Sequence, residues 1–140
     1  FYTTYKTSDS RHISVGAIED KFYLEFITKL DLKLDELPNR TDKSNWPELK
    51  DIFQEIIKTK TMREWEEIYY GTDACVAPVL NFEEAFVDPH NKYRGIFPKA
   101  FNIIQPKPAP DLSVTPAPKI TDKHKIKLTG AEVFRQWGIN

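Results

Sequence analysis

The period of the hydrophobic pattern changes at Glu19, and this change decides which class of fold the chain can adopt. Before Glu19, the runs Tyr2 to Lys6 and His12 to Val15 are rich in β-branched and aromatic residues. Turn formers at Ser8 to Ser10 separate the two runs. After Glu19, apolar side chains recur about every 3.6 residues. These are Phe22, Tyr23, Phe26, Ile27 and Leu30. The pattern predicts a β-hairpin followed directly by a helix.

Four later segments carry the start signal of a helix, a polar capping residue followed three positions later by glutamate. The pairs are Asn45 with Glu48, Thr61 with Glu64, Asn81 with Glu84 and Thr129 with Glu132. We predict a helix after each pair. Between the second and third pairs, Cys75 to Leu80 is an apolar run of strand length. Because Pro78 cannot donate to a ladder, this run is restricted to the edge of a sheet or a bend.

Proline becomes frequent late in the chain. Five of the ten lie at Pro106, Pro108, Pro110, Pro116 and Pro118, and such spacing favours an extended backbone. We predict an α+β fold. Residues 1–98 form a small domain with a short antiparallel sheet and three to four helices. Residues 99–140 form an extended arm and a terminal helix, too small for a core of their own, that pack on protein outside this chain.

Composition excludes several classes of function. Lys and Arg total 20 against 21 Asp and Glu, so no net field draws the chain to nucleic acid or an anionic membrane. The single cysteine, Cys75, rules out an internal disulfide, and its apolar surroundings predict a buried, unreactive thiol. His12, His90 and His124 lack metal-ligand spacing, so no metal site is expected. We expect His12 to face solvent. The basic run Lys123 to Lys127 fits either a phosphate contact or an ordinary protected edge.

Glu19 is the strongest candidate for chemistry. It follows Gly16 and Ala17, whose small side chains let a ligand approach the backbone closely. Strand-to-helix junctions are frequent positions for functional groups. A structural alternative stays open at this point, since a carboxylate at a helix N-terminus is stabilised by the helix dipole without any catalytic role.

Longer strings in the sequence resemble the α-methylacyl-CoA racemases of the family III CoA-transferase superfamily. The strings are Phe1–Thr7, Val15–Glu19, Asp35–Asn39, Trp46–Glu48, Gly71–Leu80, His90–Lys92 and Arg94–Gly95. They cover residues 1 to 97 almost continuously. Because the chain begins at Phe1, inside a strand-like run, we expect it to be a C-terminal piece of a longer protein that contains the small domain.

The resemblance implies an active site shared between domains. Family members form interlocked homodimers in which the large domain of one subunit faces the small domain of the other. They invert C2 of 2-methylacyl-CoA thioesters by 1,1-proton transfer, with no cofactor beyond the coenzyme A of the substrate. By this resemblance, Glu19 pairs with a histidine of the large domain as one acid/base, and an aspartate of that domain is the facing base. Tyr2, Gly16, Ala17 and Ile18 are the predicted substrate-binding residues.

Two departures from the family pattern concern positions near Glu19. Asp20-Lys21 stands where the family usually has Pro-Gln, and Ser10 stands where a glycine is usual. Neither removes the proposed acid/base. The resemblance implies an intracellular protein, peroxisomal or mitochondrial in a eukaryote and cytoplasmic in a bacterium.

Two other functions remain open on the sequence. A CoA-transferase of the same superfamily would act through an aspartyl intermediate, but such enzymes usually lack the Gly16–Glu19 string. A non-catalytic fragment would act only as a protein-interaction or dimerisation module. If the chain is part of a racemase, we expect the isolated 140 residues to be inactive, because the partner bases lie elsewhere.

Overall fold

The predicted hairpin opens the computed structural model, which describes residues 1–100, 102–118 and 128–139. Strand β1 (Thr3–Lys6) pairs antiparallel with β2 (His12–Val15), and Tyr5 lies opposite Ile13. Because side chains alternate across a strand, Tyr5 and Ile13 both reach the buried face, while His12 faces solvent as predicted.

The run predicted for a sheet edge forms β3 (Val76–Pro78), which pairs antiparallel with the other side of β2. The sheet order is β1-β2-β3, so β3 is an edge strand. Pro78 lies opposite Ile13 at the end of the ladder, where its missing N–H costs no bond. The next residue, Val79, donates its N–H to the His12 carbonyl at 3.0 Å.

Three helices cover the buried face of this sheet: α1 (Asp20–Lys29), α2 (Trp46–Ile57) and α3 (Met62–Tyr69). The core side chains of these helices, with Leu30 at the C-cap of α1, are Tyr23, Phe26, Ile27, Leu30, Leu49, Phe53, Ile57, Met62, Trp65 and Tyr69. The polar atoms of two buried aromatic residues find carbonyl partners. Trp65 donates to Ile57 at 2.7 Å and Tyr69 donates to Phe26 at 3.0 Å. These bonds remove the cost of burying an indole N–H and a phenol.

Helix capping follows the sequence at three of the four predicted positions. Both hydrogen bonds of the capping box form at Thr61 with Glu64, at Asn81 with Glu84 and at Thr129 with Glu132. These boxes begin α3, α4 (Phe82–Val87) and α6 (Gly130–Gln136).

The capping box predicted at Asn45 is wrong. A 3₁₀ turn, Lys43–Asn45, precedes α2, so Asn45 already has a helical backbone with φ −84° and ψ −9°. Asp42 caps that turn instead, accepting from the Ser44 N–H at 2.9 Å. A residue inside a helical turn cannot direct its side chain to the N3 amide as a true cap does. A second 3₁₀ turn, Leu34–Glu36, lies earlier in the same connection.

The chain divides into two compact units, Phe1–Leu80 and Asn81–Asn140. The second unit contains α4, the short helix α5 (Pro89–Tyr93), a two-stranded antiparallel pair and α6. The pair consists of β4 (Lys99–Ala100) and β5 (Ile103–Ile104). Asp88 ends α4 and caps α5 through the Asn91 N–H at 2.9 Å.

Six α-helices and five strands among the described residues confirm the α+β class. The division into 1–98 and 99–140, and the extended character of the proline-rich arm, stay predictions. The basic run Lys123 to Lys127 lies outside the described residues. None of the described helices combines the length and the apolar composition that crossing a bilayer requires.

The hairpin turn also holds the junction between α2 and α3. The Asp9 carboxylate accepts from the buried Thr7 hydroxyl at 2.5 Å and from the Met62 N–H at 3.3 Å. Ser8 donates its N–H to the Lys60 carbonyl at 2.9 Å. The turn therefore closes the sheet and supplies a carboxylate to the first turn of α3, where the helix dipole favours it.

The backbone of that turn predicts a stabilising substitution. Ser10 has φ 62°, a left-handed conformation that costs a non-glycine residue about 1–2 kcal/mol. Ser10→Gly removes this cost and adds about 0.4–1 kcal/mol of unfolded-chain entropy. We expect the free energy of unfolding to rise by about 0.5–1 kcal/mol in urea titration. Ser8→Gly is the control, because Ser8 has no positive φ. If both substitutions changed the free energy of unfolding equally, the left-handed backbone of Ser10 would not be the source of the gain.

The Asp9 contacts predict how stability depends on pH. The Thr7 hydroxyl, with smaller help from the backbone N–H groups of Met62 and Arg11, holds the pKa of Asp9 below its ordinary value. A lowered folded-state pKa stabilises the fold above the unfolded-state pKa of about 3.9, and this stabilisation is lost as the pH falls through the folded-state value. Asp9→Asn should therefore unfold more easily than the parent at pH 7, and the difference should shrink in acid. An unchanged difference at low pH would contradict this account.

Candidate functional site

Glu19 occupies the boundary between the sheet and α1. It is the N-cap residue of α1, with an extended backbone at φ −68° and ψ 146°, and its carbonyl accepts from the Tyr23 N–H at 2.9 Å. Its side chain is exposed and makes no capping bond. No hydrogen bond or ion pair joins this carboxylate to another described residue. The backbone of Glu19 is therefore anchored while its carboxylate stays available.

The three residues before Glu19 have different environments. Ala17 is fully buried in the core, so any contact it makes with a ligand must come from its backbone. Ile18 is 56% exposed and extends its side chain at the surface. Gly16 donates its N–H to the Cys75 carbonyl at 2.9 Å, which ties this segment to the start of the edge strand.

Tyr2 lies against Gly16. A Cβ added at Gly16 would lie 3.4 Å from a Tyr2 ring carbon and 3.6 Å from the Cys75 carbonyl oxygen. These are ordinary van der Waals separations, so the Tyr2 ring packs about one methyl group away from this backbone. Tyr2 itself is 63% exposed, unlike Tyr5, whose ring is in the core.

Two cavities meet at Tyr2. The first, of about 300 Å³, is lined by Phe1, Tyr2, Ile18, Arg40, Thr41 and Trp46. The second, of about 490 Å³, is lined by Tyr2, Thr3, Thr4, Ser14, Val15, Gly16 and Cys75. The first is bounded largely by aromatic and aliphatic side chains, which suit an apolar ligand. The structure thus brings together Tyr2 and Ile18 at one cavity and Tyr2 and Gly16 at the other, with Glu19 next in sequence to Ile18.

Arg40 is a site residue that the sequence did not reveal. Its guanidinium donates to the Ile18 carbonyl and to the Asp20 carboxylate, the groups on either side of Glu19. The same guanidinium lies 4.5 Å from the centre of the Tyr23 ring, a cation–π contact. Arg40 comes from an irregular polar loop, where no periodicity or capping signal indicates which direction a side chain takes.

The loop that carries Arg40 is fastened to α2. Trp46 donates its indole N–H to the Arg40 carbonyl at 2.8 Å. Asn45 donates its side-chain amide to the Asn39 carbonyl at 3.0 Å, and Asn39 accepts from the Thr41 N–H at 3.0 Å. Asn45, which does not cap α2, therefore has a different structural role: its side chain holds the loop beside α1.

Below Arg40, the Tyr23 phenol is buried, and its oxygen has no hydrogen-bond partner within the described part of the chain. Burial raises the pKa of Tyr23 above its ordinary value, and the nearby Arg40 charge opposes part of that rise. Arg40 lines the first cavity, and its guanidinium packs on the Tyr23 ring from the other side.

Cys75 is exposed, so the prediction of a buried thiol is wrong. The chain turns here with φ 52°, before β3 begins at Val76, and Ala74 takes the buried position instead. His90 lies on α5, and His124 lies outside the described residues. In the described ranges, His, Cys, Asp and Glu side chains form no group of three that could hold a metal ion.

Comparison with known proteins places the sequence in a family. The profile of CoA-transferase family III matches residues 1–122. A mouse protein named alpha-methylacyl-CoA racemase is 43% identical over 142 residues, which cover 100% of this chain and 37% of the mouse protein. A human protein of the same name is 50% identical over 118 residues, which cover 84% of this chain and 31% of the human protein.

A more distant relative is a CaiB/baiF CoA-transferase family protein of Caenorhabditis elegans, 34% identical over 83 residues, which cover 59% of this chain and 23% of that protein. The chain spans about a third of the length of the mouse and human relatives. Since the family profile matches most of the chain and the racemase matches share 43% and 50% identity with it, the chain belongs to CoA-transferase family III.

Proposed function

We propose that this chain is part of a racemase that inverts C2 of 2-methylacyl-CoA thioesters, and that Glu19 supplies one acid/base group. The observation that carries the proposal is the exposed Glu19 carboxylate, unpaired among the described residues and next in sequence to a cavity-lining residue, Ile18. The mouse and human relatives named alpha-methylacyl-CoA racemase support the choice of reaction.

The reaction exchanges one proton for another at a single carbon. A base removes the proton from C2, and the electron pair of that C–H bond moves into the thioester carbonyl to give an enolate. An acid on the opposite face then returns a proton to C2, and the carbonyl re-forms. No atoms or electrons are gained or lost overall. Because the proton of a thioester α-carbon is weakly acidic, the site must hold its bases in place and stabilise the enolate oxygen.

Glu19 suits one half of this pair. Its carboxylate can accept or donate a proton, and its backbone is fixed by the bond from the Tyr23 N–H. In the proposal it exchanges that proton with a histidine of the large domain, while an aspartate of the same domain faces the other side of C2. Both partners follow from the family resemblance and lie outside this chain.

The cavity beside Tyr2 suits the acyl part of the substrate. Phe1, Ile18 and Trp46 contribute apolar surface to it, and burying a methylene group against such surface contributes about 0.8 kcal/mol. We assign Tyr2 and Ile18 to side-chain contacts with the acyl group. Gly16 and Ala17 contribute backbone, since one has no side chain and the other buries it. Coenzyme A enters as part of the substrate, and the proposed chemistry uses no separate cofactor.

The proposed assembly is an interlocked homodimer, in which this small domain completes the site of the partner's large domain. The chain covers about a third of the mouse and human relatives, which leaves room for such a domain elsewhere in a full-length protein. The isolated chain, lacking the histidine and the facing aspartate, should not catalyse the reaction.

Glu19→Gln tests the assignment in the full-length protein. Glutamine keeps the shape of the side chain but cannot transfer the proton, and loss of a positioned acid/base typically costs about 10²–10⁴-fold in rate. We expect deuterium incorporation from D₂O at C2 of a 2-methylacyl-CoA to fall by at least about 10²-fold. Mass spectrometry of the recovered thioester measures this exchange.

Glu48→Gln is the matched control. Like Glu19, which is the N-cap of α1, Glu48 is exposed and lies at a helix N-terminus, in the first turn of α2, and it lines neither cavity beside Tyr2. The control separates proton transfer from any general effect of losing a carboxylate near a helix dipole. Exchange at the parent rate in Glu19→Gln would overturn the role of Glu19. An equal fall in the exchange rate in both variants would mean that the effect comes from removing a carboxylate near a helix N-terminus.

A CoA-transferase is the second candidate, favoured by the family profile and by the name of the nematode relative. A transferase would move coenzyme A from a thioester to a free carboxylic acid. The two functions separate when the full-length protein is given a 2-methylacyl-CoA and an isotopically labelled free acid. Labelled thioester without C2 exchange indicates the transferase, whereas C2 exchange without labelled thioester indicates the racemase.

A further inference from the structure

We propose that Arg40 is a positioning residue for Glu19, which it holds by clamping the groups on both sides of it. The inference rests on the proposed catalytic role of Glu19 and deepens it. Arg40 lies 21 positions later in the sequence, on a different structural segment, and the Glu19 side chain makes no hydrogen bond or ion pair with another described residue.

The clamp has three contacts from one planar group. One guanidinium nitrogen, Nη1, donates to the Ile18 carbonyl, and the other, Nη2, donates to the Asp20 carboxylate. The plane lies over the Tyr23 ring, 4.5 Å from its centre. Tyr23 also donates its N–H to the Glu19 carbonyl, so Arg40 contacts the ring of a residue that helps to fix the Glu19 backbone.

The contacts differ in strength. The Arg40 side chain is only 16% exposed, whereas Ile18, whose uncharged carbonyl accepts its bond, is an exposed residue. The Asp20 side chain is fully exposed, and a pair with an exposed carboxylate is weakened by solvent and salt. The carbonyl bond and the contact with the Tyr23 ring therefore determine the position of the clamp, and Asp20 adds less.

The backbone of the loop that carries Arg40 is also held in place. The Arg40 carbonyl accepts from the Trp46 indole at 2.8 Å, which anchors the loop at the start of α2. Trp46 in turn packs edge-on against Phe1, with ring centres 6.1 Å apart. A continuous series of contacts thus joins α2, Arg40, the Ile18 carbonyl and the Asp20 side chain. Lysine has no planar guanidinium group. At this position it could keep one of the two hydrogen bonds, but not both together with the contact on the Tyr23 ring.

The test compares Arg40→Met and Arg40→Lys in the full-length protein, using C2 exchange of a 2-methylacyl-CoA. A small misplacement of an acid/base lowers turnover more than substrate binding. We expect kcat to fall about tenfold in Arg40→Met, with KM changed by less than about threefold, and an intermediate kcat in Arg40→Lys. Asp20→Asn should change kcat by less than about twofold, because the Asp20 carboxylate that pairs with Arg40 is exposed to solvent.

Lys43→Met is the control. Lys43 is a cation on the same loop, and its ammonium lies 5.7 Å from the Trp46 ring centre, away from the residues on either side of Glu19. It should leave kcat and KM at parent values. A second readout does not depend on activity: hydrogen exchange of the Tyr23 amide, which is bonded to the Glu19 carbonyl, should become several times faster in Arg40→Met and stay unchanged in Lys43→Met.

Each result decides the question. Parent kcat in a folded Arg40→Met overturns the clamp, and so does a raised KM with parent kcat, which would make Arg40 a substrate contact on the cavity wall. If Arg40→Met does not fold, Arg40→Lys decides, since parent kcat there also overturns the clamp. Glu19→Gln is measured in the same series. Impaired exchange in Glu19→Gln with parent kcat in Arg40→Met rejects the clamp alone, whereas parent exchange in Glu19→Gln rejects the proposed function.

Discussion

The packing of Phe53 is the interaction on which the first unit depends. Its ring centre lies 5.0 Å from that of Phe26 on α1 and 6.3 Å from those of Tyr5 on β1 and Tyr23 on α1. Full burial of such a ring contributes about 1.5–3 kcal/mol, and edge-to-face contacts add about 0.5–1.5 kcal/mol beyond it. Because these rings belong to the sheet, α1 and α2, one side chain sets the distance between all three.

The core also determines how the candidate site is presented. Ala17 on one side of Glu19 and Tyr23 on the other are both buried, so the backbone between them follows the core surface closely. Ile18 and Glu19 fall between these anchors and face outward. A carboxylate exposed between buried anchors is both accessible and restrained at its backbone, which is what an acid/base group needs if its partner comes from another domain.

Local signals predicted much of the fold. The period of 2 in the hairpin, the period near 3.6 in α1 and the capping box at Thr61 depend on neighbouring residues, and all three predictions are confirmed. The errors arose where a neighbouring segment changed the local outcome. Asn45 lost its capping role because a 3₁₀ turn precedes it. Cys75 became exposed because the chain turns before β3. Glu19 and Tyr2 were proposed as site residues from the sequence, and their roles stay predictions, whereas no local pattern indicated the contacts of Arg40.

By itself, the sequence determined the α+β class, the order of the first elements and the position of Glu19 at a strand-to-helix junction. Each of these follows from patterns within about one helical turn or one strand. Only the tertiary structure decided that the Tyr2 ring lies on Gly16 and that Arg40 bridges Ile18 and Asp20. Those contacts join residues that are far apart in sequence. They depend on how the core packs and on where an irregular loop is tied to α2, and neither is encoded by local propensity.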